Sequence, residues 1–311
     1  MHNLICIAGP TASGKTALSI ALAKELGGEV VSCDSMQVYR RMNIGTAKPT
    51  WAEMAGIPHH MLDVAEPDED FSVSRYCEMA TPIVDDILSR GKTAIITGGT
   101  GLYMDALIKG NSFAPYPSTG MREKLEAQAD KDGMEAMLAL LNSIDPDSAA
   151  RLHLADRKRI LRALEVYYET GETITAHNLK TQQIPPRYNP VWFALEDADR
   201  ANLYERIDRR VEQMLEQGLL DEIRTLLAEG IPEKCTAMQA IGYKEFVDAL
   251  QGRSSVETAT ALVQQSSRQY AKRQLTWFRR NKAIHWLRRE AQDGTAQILA
   301  KARQVLTECD K

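Results

Sequence analysis

The sequence predicts an α/β fold: a P-loop-type parallel sheet flanked by helices, with an all-helical domain inserted into it. Three observations carry that reading. A glycine-rich loop, GPTASGKT at 9–16, lies between an apolar run and a stretch of helical period. Short β-branched and apolar runs alternate with helical stretches. Between about 112 and 188 that alternation stops and helical period takes over, flanked by the proline-bearing segments FAPYPSTG and QQIPPRYNP.

NLICIA (3–8), with its apolar run LICIA, reads as a short buried strand. GPTASGKT follows it, and TALSIALAKELG then carries helical apolar spacing. EVVSC (29–33) is the second strand and ends at Asp34-Ser35, the only strand end read as carrying an aspartate. TAIIT (93–97) is the third and leads into GGTGLY (98–103) and a helix. VWFAL (191–195) is the fourth. Residues 1–111 and 189–311 then form the catalytic core, and 112–188 form the helical insertion. From 199 onward the chain reads mostly as helix, with a long basic segment at 266–282 and an amphipathic tail.

Bulk properties narrow the function. A length of 311 residues suits one large domain or two smaller ones, and 44% hydrophobic residues can bury a real core. The net charge of −4 says nothing of nucleic acid, so such a role must come from local basic clusters. Cys6, Cys33, Cys77, Cys235 and Cys309 are widely spaced and lack a C-x-x-C, which argues against a disulfide framework or zinc site and for the reducing cytoplasm. LICIA is too short for a signal-peptide core or a membrane span, and no membrane partner is expected.

GPTASGKT fits G-x-x-x-x-G-K-S/T through Gly9, Gly14, Lys15 and Thr16. Backbone amides and the following helix N-terminus point at an anion in such a loop, Lys15 adds a point charge, and the Thr16 hydroxyl suits Mg²⁺. This is an ATP-binding motif in many proteins, yet the loop alone leaves open whose phosphate it holds. TAIIT ends in Gly-Gly-Thr where an NTPase strand would end in a metal-binding Asp. Ligands of open parallel sheets lie at the carboxyl ends of the strands, which gathers Asp34 and Thr100 near the loop. Asp34 reads as a metal ligand or general base, or alternatively as a helix N-cap.

RQYAKRQLTWFRRNKAIHWLRR (268–289) carries eight basic and no acidic residues. On a helix, Arg268, Lys272 and Arg279 share one face, and Arg273, Trp277 and Arg280 another. A second cluster places Arg151, Arg157, Lys158, Arg159 and Arg162 in the insertion. Both suit a phosphodiester backbone, with Trp277 or Phe278 for stacking; the plain alternative is a solvated face with its aromatics in the core. Arg206 and Arg210 share a helix face and suit an anion or a surface ion pair. His59-His60 reads as loop or packing.

GPTASGKT, DSMQVYRRMNIGTAKP (34–49), PHHMLD (58–63) and GGTGLY (98–103) closely resemble the tRNA dimethylallyltransferases (tRNA isopentenyl transferases) of bacteria. So do RILRALEVY (159–167), RIDRRVEQML (206–215), MQAIGYKE (238–245) and AKRQLTWFRRN (271–281), nearly the whole chain in order. The resemblance implies transfer of a dimethylallyl group from dimethylallyl diphosphate to N6 of tRNA adenosine 37, with Mg²⁺ as cofactor. The loop residues Gly9, Pro10, Thr11, Ala12, Ser13, Gly14, Lys15 and Thr16 would hold diphosphate in place of ATP. It implies Asp34 as base, with Thr100, Arg122 and Arg206 at the reaction centre. It puts tRNA contacts at Asp34, Ser35, Met36, Gln37, Lys158, Arg159, Arg162, Gln239, Lys272, Arg273, Trp277, Arg279 and Arg280. A monomer is expected. The competing classes are a small-molecule P-loop kinase or adenylate isopentenyltransferase, and a non-catalytic RNA-binding NTPase switch; two basic helices argue against the first pair and the missing Mg²⁺ aspartate against the last.

Overall fold

The computed structural model describes residues 3–110 and 119–309. Six strands, β1 (Leu4–Ala8), β2 (Glu29–Ser32), β3 (His59–His60), β4 (Ala94–Thr97), β5 (Val191–Asp197) and β6 (Ile284–Arg289), form one sheet in the order β3-β2-β4-β1-β5-β6. Every pairing is parallel. β1 lies at the centre between β4 and β5, and all five of its residues are buried, which is why its sequence does not alternate.

In the α/β unit the helices are α1 (Lys15–Leu26), α2 (Trp51–Met54), α3 (Val73–Ser89) and α4 (Gly101–Lys109). The insertion supplies α5 (Met121–Ile144), α6 (Pro146–Ala149), α7 (Arg157–Thr170) and α8 (Ile174–Gln183). The chain then returns through α9 (Arg200–Glu216), α10 (Leu219–Ala228), α11 (Tyr243–Leu250), α12 (Val256–Phe278) and α13 (Thr295–Cys309). α1 and α13 cover one face of the sheet, where Leu18, Leu22, Ile298 and Ala302 pack on Ile5, Ile7, Phe193 and Leu287. Phe193 is fully buried, and truncating such a side chain to Ala costs about 3–5 kcal/mol.

The chain divides into a unit of residues 1–110 with 187–311 and a unit of residues 111–186. Tyr188, inside the range read from sequence as insertion, belongs to the α/β unit: it is buried, its hydroxyl donates to Asp85 at 2.6 Å and its amide to the Ile108 carbonyl at 3.1 Å. The insertion has its own core of Leu125, Met137, Leu141, Leu161 and Leu164. Its longest helix is broken at Gly133, where φ is 84°. Most of the proline-bearing stretch at 113–120 lies outside the described residues.

Three expectations are corrected. His59 and His60 form an edge strand pairing with Val30 and Val31, too short to leave a period; His60 Nε2 lies 2.8 Å from Glu29. The basic segment is not helical to Arg289. α12 stops at Phe278, the Asn281 side chain accepts the Ala283 amide at 2.9 Å, and IHWLRR becomes β6 beside β5. β5 also runs past VWFAL and itself ends in an aspartate, Asp197, whereas Asp34 lies two residues beyond the end of β2.

Candidate active site

The phosphate loop leaves β1 and opens α1. Gly14, at φ 96°, is the N-cap and supplies no side chain to the first-turn amides, which leaves them for an anion. Ala12 is held at φ 59°, a left-handed conformation costly for any residue with a Cβ. Ser13 Oγ and Lys15 Nζ both donate to the Pro10 carbonyl, at 2.8 and 2.5 Å. Burial and the neighbouring Arg210 bring the Lys15 ammonium down to about 7, against the opposing pull of Asp34. Thr16 is exposed, and its hydroxyl has no protein partner among the described residues.

Asp34 follows β2 and faces the same space. Its Oδ1 accepts the amides of Met36 at 2.9 Å and Gln37 at 3.3 Å, so it does form the turn cap that the sequence allows. Oδ2 makes no hydrogen bond among the described residues. Thr100 Oγ1 accepts the Ser35 amide at 3.0 Å and lies 3.4 Å from Ser35 Oγ, which joins the end of β4 to the end of β2. Tyr270 stands beside both; burial, then the Asp34 carboxylate, pushes its phenol up to about 12.

Of Arg206 and Arg210 on α9, Arg206 turns away from this space. It donates to both oxygens of Asp197, at 2.6 Å each, and through Nε to the Ala12 carbonyl at 3.1 Å. Arg210 is the one that shares the field of Lys15 and Asp34. Burial lowers its guanidinium below the usual value, while Asp34 and Glu53 raise it, and no hydrogen bond or ion pair holds it among the described residues. Sequence spacing puts both arginines on one face; only the ending of β5 at Asp197 decides which of them faces the loop.

Gln274 had no signal in the sequence reading. It is buried in α12, accepts the Thr11 amide at 2.9 Å and donates to the Gly99 carbonyl at 3.0 Å, tying the phosphate loop to GGTGLY. The glycines there admit α12 closely: a Cβ at Gly99 would stand 2.1 Å from the Gln274 amide, and one at Gly101 2.2 Å from the Trp277 ring. A polar residue in a basic helix looks solvated until its two partners are known.

The outer side of α12 is a groove of about 470 Å³ lined by Gln269, Lys272, Arg273, Thr276, Trp277 and Arg280. The two helix faces read from sequence therefore merge. Arg268 is taken up by Asp208, and Arg279 lies 3.5 Å from Glu196. Trp277 Nε1 donates to Asp105 at 3.0 Å, and Arg280 covers its ring at 3.8 Å from the centroid. Phe278, offered above for stacking, is 2% exposed and part of the core. Gln239 is exposed and donates to the Glu233 carbonyl at 2.9 Å.

The family model described as IPP transferase matches residues 37–281, well over half of the chain. The chain belongs to the IPP transferase family. The tRNA dimethylallyltransferase of Acetivibrio thermocellus is 42% identical over 307 residues, 98% of each chain. The tRNA dimethylallyltransferase 1 of Citrifermentans bemidjiense is 46% identical over 285 residues, 92% of each. Among solved structures, the full-length tRNA isopentenylpyrophosphate transferase of Bacillus halodurans aligns with a TM-score of 0.74 at 41% identity, over all of this chain and 97% of the other. A eukaryotic dimethylallyltransferase acting on tRNA aligns with a TM-score of 0.83 at 30% identity, over 99% of this chain and 80% of the other.

In this IPP transferase several arginines of the insertion lie in ion pairs. Arg122 lies 3.2 Å from Glu126 and 3.5 Å from Glu165, Arg162 is 2.8 Å from Glu165, and Arg159 is 3.5 Å from Asp156. Lys158 and Arg159 are exposed. Among the described residues no cluster of three or more His, Cys, Asp or Glu side chains could cage a metal. At the phosphate loop, the Thr16 hydroxyl and one carboxylate oxygen of Asp34 have no hydrogen-bond partner among the described residues. That sparse set fits Mg²⁺, which takes most of its six oxygens from water and substrate phosphates, and does not fit an ion held by protein alone. No helix among the described residues is long and apolar enough to cross a membrane.

Proposed function

We propose that this chain transfers a dimethylallyl group from dimethylallyl diphosphate to N6 of adenosine 37 in tRNA, releasing diphosphate and leaving N6-(dimethylallyl)adenosine. The observation that carries the reading is the setting of Asp34. One of its oxygens is fixed by two amides, the other is uncommitted, and the cations Lys15 and Arg210 lie in its field.

The N6 lone pair is delocalised into the purine ring and is a poor nucleophile until its proton has somewhere to go. The adenine leaves the anticodon-loop stack to reach a phosphate site between sheet and helices. N6 attacks the first carbon of the allyl group as that carbon's bond to oxygen breaks. The bonding pair leaves with the diphosphate, and the N6 proton passes to the uncommitted oxygen of Asp34. The amides of Ser13, Gly14, Lys15 and Thr16, the Lys15 ammonium and the Arg210 guanidinium face the charge that builds on the leaving group. Thr16 would help hold Mg²⁺, which would supply positive charge to the leaving group. Thr100 keeps the turn at Ser35 beside the loop, and Arg206 holds the loop from behind.

Charged tRNA backbone needs a basic track, and the groove of Lys272, Arg273 and Arg280 supplies one next to GGTGLY. The same reading puts the protein in the cytoplasm, acting as a monomer. Incubation with labelled dimethylallyl diphosphate and tRNA, AMP or ATP tests it. Label on tRNA alone is expected. Label on AMP or ATP, or hydrolysis of a nucleoside triphosphate without label transfer, overturns it.

A further inference from the structure

Glu222 lies in the first turn of α10, on neither the phosphate loop nor the basic groove. Its Oε2 accepts the amides of Asn43 and Ile44, both at 2.8 Å. Its Oε1 accepts the Gly45 amide at 3.2 Å and the Tyr243 hydroxyl at 2.6 Å. Hydrogen bonds to an ionised carboxylate are stronger than neutral ones, and here four converge on one side chain. Tyr243 is buried, and burial with Glu222 beside it keeps its phenol protonated and donating. Gly45 lies against that ring; a Cβ there would stand 2.4 Å from it.

The segment that Glu222 grips continues into the reaction centre. Gln37 Nε2 donates to the carbonyls of Thr46 and Ala47, each at 3.2 Å, and its Oε1 accepts the Ser32 hydroxyl at 3.0 Å. The Gln37 amide in turn lies on Asp34 Oδ1 at 3.3 Å. A continuous run of hydrogen bonds thus leads from Glu222 through 43–47 and Gln37 to Asp34. It also uses the polar capacity of the Gln37 side chain within the protein.

We infer that Glu222 is a positioning residue for Asp34, fixing the carboxylate through the 43–47 segment and Gln37. Its kinetic consequence rests on the transfer reaction proposed above; the relay itself does not. In Glu222→Gln an NH₂ replaces one acceptor and faces backbone donors, so 43–45 loses its anchor. Hydrogen exchange followed by mass spectrometry should then show the amides of 36–37 and 43–45 exchanging about tenfold faster, with those of 11–16 unchanged. Turnover should fall about tenfold with KM for dimethylallyl diphosphate unchanged, because the phosphate loop is not in the relay. Gln37→Met cuts the relay in its middle: 36–37 should loosen while 43–45 stays protected. This second variant decides the question even if Glu222→Gln fails to fold. Unchanged exchange at 36–37 in both variants overturns the relay. Faster exchange with wild-type turnover overturns the positioning role. A wild-type protein without transfer activity sinks the proposed function, and the exchange data still decide the relay.

Discussion

Arg206 Nη2 lies between both oxygens of Asp197 in an ion pair behind the phosphate loop, with the aspartate 3% and the arginine 23% exposed. Its Nε donates to the carbonyl of Ala12, the loop residue forced into the left-handed region. The pair therefore serves the site by holding a strained loop in its anion-binding shape. Asp197→Asn should destabilise the fold by about 3–5 kcal/mol, the usual cost of leaving one buried partner unpaired. Replacing both, Asp197→Leu with Arg206→Met, should restore most of the melting temperature but not the affinity for diphosphate. Calorimetry of melting and of diphosphate binding on the same two variants separates these outcomes; recovery of both together would mean the clamp has no part in binding.

Lys15 gives a pH signature. At about 7 its ammonium is half protonated in the free protein, held down by burial and by Arg210. Bound diphosphate favours the charged form and so raises the value. The sign follows: below pH 6 Lys15 is already charged and binding takes up few protons, while at pH 8 it is mostly neutral and binding takes up close to one. Affinity should weaken as pH rises through 7. Titration calorimetry at pH 8 in buffers of different ionisation enthalpy measures the uptake. Lys15→Arg should abolish it, and Arg210→Met should reduce it, because removing the neighbouring cation lets the free-state value rise.

How much of this the sequence disclosed depends on the range of the interactions. The phosphate loop, α1 and Asp34 rest on contacts between near neighbours in the chain, and the spacing of residues encodes those directly. β6 was hidden because its basic residues continue a helical count across the turn at Asn281, and a period cannot register one side-chain hydrogen bond. Gln274 and Glu222 were hidden for another reason. Gln274 meets Thr11 and Gly99 at 263 and 175 residues' distance along the chain, and Glu222 meets Asn43 and Gly45 at 179 and 177, so nothing local distinguishes either from a solvated polar residue. The choice between Arg206 and Arg210 was of the same kind, since it turns on where β5 ends.

The groove on α12 predicts a salt response. Lys272, Arg273 and Arg280 line it, and none of the three is spent on a carboxylate among the described residues. If each neutralises one phosphate, replacing all three with Ala should lower the slope of log affinity against log salt by about 2, at roughly 0.7 per contact for single-stranded nucleic acid. Filter binding of tRNA between low and moderate salt measures it. Arg279→Ala, which removes a cation already beside Glu196, should leave the slope close to wild type. Equal slopes for the triple variant and the wild type would put the RNA track elsewhere.

Asp34 has two jobs on two oxygens, and two substitutions separate them. Asp34→Asn keeps an oxygen that can accept the Met36 and Gln37 amides, so the turn at 35–37 survives, but it cannot take the N6 proton. Turnover should fall by roughly 10²–10⁴-fold with tRNA affinity nearly unchanged. Asp34→Ala removes the cap as well, leaving two amides without their acceptor. It should match Asp34→Asn in turnover and in addition weaken tRNA binding, since Ser35, Met36 and Gln37 lose their fixed turn. Single-turnover kinetics and tRNA binding on both variants test this. If Asp34→Asn lost tRNA affinity as steeply as turnover, the carboxylate would be holding RNA and not receiving a proton. If Asp34→Asn retained turnover, the proton would leave by another route, and Tyr270, the ionisable side chain beside Thr100, would be the next group to replace.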